Sequence, residues 1–182
     1  GDTHDLPDPF FVIATQNPVD MEGTFELPEA QVDRFLVKAS MGYPDDEGEI
    51  ELLRRRRGRT EMSPSVDAVL DKESASAIRE TPESVAVDDD ILEYEATLAR
   101  ATREHDAVDV GVSPRGTQRL FEAARARAAM VGREYVTPAD VTRVAGPAMA
   151  HRLVLTADAR IDGVPKRDVV QDVLDSVDVP TV

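Results

Sequence analysis

The strand-like runs of this sequence lie at its start, and the pattern then turns helical. Residues 10–15, Phe-Phe-Val-Ile-Ala-Thr, are apolar and rich in β-branched and aromatic types, which predicts a buried, central, parallel strand. Residues 34–41 alternate partly and predict a second strand, ended by Gly42-Tyr43-Pro44. Between them, residues 16–28 hold the Asn, Pro and Gly of a loop, with room for a helical turn or two at 29–33. Two strands do not make a stable sheet. The pattern therefore reads as part of a larger unit, or as one that needs a partner to complete it.

Helix punctuation governs the rest. Asp45 can cap a helix running to about Arg57, with Asp46, Glu47 and Glu49 in its first turns and Arg54 to Arg57 in its last. Acid at the start and base at the end suit the helix dipole, so the arginine run has a structural reason beside a phosphate-binding one. Residues 58–66 read as a linker and 67–80 as a weakly amphipathic helix. Residues 89–105 place Ile91, Leu92, Tyr94, Leu98 and Ala101 near one face, behind an Asp88–Asp89–Asp90 cap that lacks the oxygen spacing of a calcium loop. After a loop at 105–112, Ser113-Pro114 opens a helix with Leu120, Phe121, Ala124, Ala128 and Val131 as its stripe and Gly132 as its stop. Thr137-Pro138-Ala139-Asp140 repeats the capping logic for a helix carrying Val141, Val144 and Ala145 inward and kinking at Pro147. Residues 151–155 can be extended, and a short helix fits about 166–176.

Composition narrows the chemistry. There is no cysteine, and His4, His105 and His151 lack metal-ligand spacing. No apolar run approaches the length of a membrane span, and the start is acidic rather than signal-like, so a cytoplasmic protein is the expectation. The formal charge is -15, with three lysines against eighteen arginines. Such a surface repels nucleic acid, and it suits adaptation to high salt as well as an ordinary acidic surface.

Three polar residues stand out. Asn17 follows the first strand, at the carboxyl end where α/β sheets meet ligands; its amide could orient a phosphate or a water, or simply cap a turn before Pro18. Arg34, a planar and permanently charged guanidinium, can pair with Asp33 or Glu29 as an exposed contact. Arg115 sits in the first turn of a helix, where a guanidinium adds to an anion-favouring field and gains nothing as a purely structural residue; Arg119 lies one turn on. Glu22, Thr24 and Glu26 read as solvated loop residues or contacts between subunits.

The segment PFFVIATQNPVDMEGTFELPEAQVDRFLVKASMGYP resembles the MoxR family of AAA+ ATPases, as do ATREHDAVDVGVSPRGTQRL, GREYVTPADV and AHRLVL further on. The resemblance runs over residues 1 to about 155. It implies an α/β remnant of an AAA+ core (about two strands) at residues 1–43, followed at 44–182 by a linker helix and an all-α lid, mainly helical overall. It assigns Asn17 as sensor 1, Arg34 as arginine finger and Arg115 as sensor 2. It implies ATP and Mg2+ in the intact protein, a homo-oligomeric ring expected to be hexameric, and chaperone-like remodelling of a client or assembly with a von Willebrand factor A-domain partner. Neither G-x-x-x-x-G-K-[ST] nor an Asp-Glu strand is present: the lysines stand in Val-Lys-Ala, Asp-Lys-Glu and Pro-Lys-Arg. Gly1-Asp2-Thr3-His4 resembles a hairpin tip just before the sensor 1 strand, so the chain is expected to begin partway through the core and to lack turnover alone. A non-enzymatic helical adaptor remains the alternative.

Overall fold

Capping side chains set the helix starts in the computed structural model, which describes residues 3–16, 27–60, 62 and 66–181. A single turn, α1 (Glu29–Val32), precedes α2 (Asp46–Arg57), where the Asp45 carboxylate accepts from the Gly48 amide at 2.8 Å. Asp71 caps α3 (Lys72–Glu80) in the same way, and Asp88 caps α4 (Asp89–Glu104). The acid-to-base gradient of α2 is as expected, and the helix buries no residue.

Ser113 caps α5 (Pro114–Met130), and Gly132, at φ +74°, takes the left-handed conformation that ends it. A capping box opens α6 (Pro138–Met149): Asp140 accepts from the Thr137 amide at 2.9 Å and from its hydroxyl at 2.7 Å. Burial works to raise the Asp140 carboxyl, but hydrogen bonds from Arg133 and Thr137 overcome it and hold the group at about 2. Helix α6 continues through Pro147, whose carbonyl accepts from the Lys38 amide at 2.9 Å. A 3-10 turn at Ala150–Arg152 follows, then α7 (Ala157–Ile161) and α8 (Lys166–Ser176), the latter where the sequence places it.

The molecule is mainly helical, as expected, but among the described residues the two strands are not the pair expected at 10–15 and 34–41, although the second lies within the stretch read as extended at 151–155. They are β1 (Val108–Val110), inside the expected 105–112 loop, and β2 (Val154–Leu155), paired antiparallel with Val108 opposite Leu155. Residues 10–15 and 34–41 are not in strands; Phe11 is 82% and Ile13 78% exposed. The apolar run is right for a strand, but no described strand lies beside it to complete a ladder.

One core holds α4 to α8 together. Among the described residues every buried apolar side chain lies between Val85 and Leu174. Helix α5 packs chiefly on α6, and α4 on α5 and α8. Helix α4 buries Ile91, Tyr94, Glu95, Leu98, Ala99 and Thr102, so Leu92, expected inside, stands on the rim. Val131, expected to end the α5 stripe, is likewise exposed. No helix among the described residues is long and apolar enough to cross a membrane.

Candidate functional site

The leading segment meets the helical bundle at Asp33. Turn α1 delivers this residue: the Asp33 amide donates to the Glu29 carbonyl at 2.9 Å, and the Arg34 amide to that of Gln31 at 3.2 Å. The Asp33 carboxylate then faces the bundle. Its Oδ2 accepts from the Ser113 hydroxyl at 3.0 Å, and its Oδ1 from Arg152 Nε at 3.0 Å. Ser113 uses the same hydroxyl oxygen to accept from the Gly116 amide at 3.1 Å, so one side chain both caps α5 and ties it to the α1 turn.

This contact decides the surroundings of the two arginines singled out from the sequence. Arg34 follows Asp33, and Arg115 lies two residues beyond Ser113; both are exposed. The Arg34–Asp33 ion pair is not formed, because Arg152 and Ser113 occupy the carboxylate. Among the described residues neither Arg34 nor Arg115 has an ion-pair partner. Arg119 instead donates to Glu122. Asn17 lies outside the described residues, as do Glu22, Thr24 and Glu26.

The α5 N-terminus is fixed from behind as well. Thr102, buried in α4, accepts from the Val112 amide at 2.9 Å, and Arg103 Nε donates to the Val112 carbonyl at 2.8 Å. Gly116 permits the close approach of the 150–152 turn: a Cβ there would stand 2.6 Å from Val112 Cγ1 and 2.8 Å from Arg152 Cδ. The glycine of Ser-Pro-Arg-Gly is therefore a packing requirement.

Sequence reading misses Arg152, the most heavily bonded side chain of this seam. Its side chain is only 1% exposed. Besides Asp33 Oδ1 it donates to the carbonyls of Asp33 (3.1 Å), Phe35 (2.5 Å), Leu36 (3.5 Å) and Ala148. It also donates to His151 Nε2 at 2.7 Å, which leaves that imidazole neutral. Burial, with the adjacent guanidinium, pushes His151 down to about 4. Burial also lowers Arg152 itself, opposed by the Asp33 charge.

What the arrangement offers chemically is a pair of positions for positive charge beside a buried brace. Among the described residues no group of three His, Asp or Glu could hold a metal ion. Two unneutralised guanidiniums, one in the first turn of a helix, suit a multiply charged oxyanion such as a phosphate.

The chain matches known proteins on both sides of the seam. Residues 1–37 match the ATPase family associated with various cellular activities (AAA), and residues 100–173 match the AAA lid domain. The protein YeaC of Bacillus subtilis is 40% identical over 180 residues, covering 99% of this chain and 56% of that protein. Chaperone MoxR1 of Mycobacterium tuberculosis is 37% identical over 191 residues, covering 100% of this chain and 50% of that protein. The chain thus spans about half the length of these relatives. A crystal structure from Cytophaga hutchinsonii, described as that of a candidate ATPase, superposes with a TM-score of 0.88 at 34% identity, over 100% of this chain and 58% of that one.

Proposed function

The chain belongs to the MoxR-type AAA+ ATPases, and on that premise we propose that it supplies the phosphate-sensing and lid elements of an ATP-hydrolysing ring. Residues 1–43 serve as the end of the α/β core, and residues 44–182 as linker and lid. The working protein is longer, as its relatives are, and holds Mg-ATP between subunits. Asn17 orients the terminal phosphate and the attacking water as sensor 1. Arg34 acts as arginine finger and Arg115 as sensor 2. Magnesium bound with the nucleotide would supply positive charge against the charge that develops on the phosphate; among the described residues no cluster of His, Asp or Glu could hold it.

One observation carries this reading. The Ser113–Asp33 hydrogen bond brings the first turn of α5 against the α1 turn, so Arg115 and Arg34 flank the same seam with no anionic partner among the described residues. An exposed guanidinium with no anionic partner gains from an incoming anion, and charge spread over a transferring phosphoryl group is such an anion. The driven work is chaperone-like remodelling or complex assembly, in a hexameric ring in the cytoplasm, with a client or a von Willebrand factor A-domain protein as partner.

Full-length protein tests the roles. Arg34→Ala should lower kcat on the order of a thousandfold, the scale of an arginine finger, while nucleotide affinity stays within a few-fold. Retained turnover in Arg34→Ala would remove the finger. The 182-residue chain by itself should show no ATPase activity, since it holds no phosphate-cradling loop; turnover by that purified chain would refute this expectation. A second reading, a non-enzymatic helical adaptor, is favoured by the self-sufficient core between Val85 and Leu174. It requires full-length protein to lack nucleotide-dependent turnover altogether.

A further inference from the structure

We infer that Arg152 is a positioning residue for the Arg34 loop, coupling it to the lid so that the two arginines move as one unit; this rests on the finger reading above. Its donors go to Asp33 Oδ1 and to the carbonyls of Asp33, Phe35 and Leu36, which bracket Arg34 in sequence. The backbone on both sides of Arg34 is thereby held, while the Arg34 side chain stays exposed. The other end of the brace is the lid. Arg152 sits in the turn after α6, bonds back to the Ala148 carbonyl, and lies against Gly116 in the first turn of the helix that carries Arg115. Asp33 closes the loop by bonding both Arg152 and Ser113.

The consequence is mechanical. A lid displacement that moves Arg115 must carry Arg152, and with it the carbonyls around Arg34, unless these bonds break. Nucleotide sensed at the lid is therefore transmitted to the finger through one buried guanidinium. Holding a charged group in its productive geometry before the reaction is the kind of contribution that appears in kcat rather than in binding.

The experiment uses full-length protein, single-turnover ATP hydrolysis and a double-mutant cycle. Asp33→Ala, which removes a carboxylate at the edge of the brace and not a core residue, should lower the hydrolysis rate about ten- to hundredfold with KM for ATP within about threefold, a transition-state loss. In an Arg34→Ala background the same change should cost less than about twofold, because a positioning effect has nothing left to position. Asp33→Asn, whose carbonyl still accepts from Arg152, should recover most of the rate. Arg152→Lys, which keeps the charge but loses the planar fork, should behave as Asp33→Ala. Circular dichroism should show the helical bundle intact throughout. A wild-type rate for Asp33→Ala, or an equal loss with and without Arg34, overturns the coupling while leaving the finger in place. Undiminished hydrolysis by Arg34→Ala alone overturns the finger reading, and the coupling with it.

Discussion

Glu95 is a buried titratable residue of α4. It is 2% exposed, its Oε1 has no hydrogen-bond partner, and it lies at a shallow, open depression with Leu92, Thr117, Gln118 and Phe121. Burial raises its carboxyl to about 8, so the folded state keeps a proton that the unfolded chain releases near 4.5. Stability from this group is complete below 4.5 and is lost as pH rises through 8. His151 works in the opposite sense: the unfolded chain takes a proton near 6.5, the folded one only near 4, so its contribution rises with pH across that window. The two oppose each other between 4.5 and 6.5, and between 6.5 and 8 Glu95 acts without His151. Melting temperature should therefore fall from pH 6.5 to 8, and Glu95→Gln should flatten that limb; an unchanged slope in the variant would contradict the assignment. Residues that matter at this scale are only partly legible in the sequence. Motifs mark Arg34 and Arg115. Arg152 lies in the matching segment AHRLVL but receives no role from the sequence, because its main partner is 119 positions away.

At the scale of elements, legibility follows the range of the forces. Caps are local, so Asp45, Asp88, Ser113 and the Thr137–Asp140 box can be read directly, and each begins a helix. Strands need partners, so residues 10–15 have the composition of a strand without forming one; β2 falls within the stretch read as extended at 151–155, whereas β1 goes unread because three residues carry almost no periodicity. Close helix approach is also non-local, and the glycines test it. Gly116→Ala places a methyl at 2.6 Å from Val112 and 2.8 Å from Arg152, so crowding of about 1–3 kcal/mol should exceed the helix-propensity gain of up to about 1 kcal/mol. Gly146, inside α6, has nothing within 4 Å of the same position and needs no left-handed backbone, so Gly146→Ala should be neutral or stabilising by up to about 1 kcal/mol. Urea midpoints should move in opposite directions; a shared sign would mean that the seam is looser than its distances state.

The whole molecule carries a charge of -15 on a core confined to residues 85–174 among those described, with aromatics only 4% of the chain. A modest aliphatic core must therefore hold against the mutual repulsion of an acidic surface. Ion pairs at that surface, such as Arg55–Glu51 and Arg79–Asp8, are exposed and contribute about 0–1 kcal/mol each. Salt weakens those pairs and also screens the excess of like charge, so the two effects have opposite signs. Thirty-six acidic residues face twenty-one basic ones, and each ion pair takes one of either sign, so the negative excess stays uncompensated; repulsion within that excess is what a salt-adapted surface sets against the pairs. The screening length falls from about 10 Å at 0.1 M to about 3 Å at 1 M, the range over which neighbouring surface charges stop feeling one another. The proposal of a salt-adapted protein thus predicts a melting temperature that climbs as KCl is raised from about 0.01 M to 1 M. A sucrose series, which strengthens burial without screening charge, should give a smaller rise. Equal stability at low and molar KCl would show that the surface charge is locally compensated and that the acidic composition reflects no adaptation to salt.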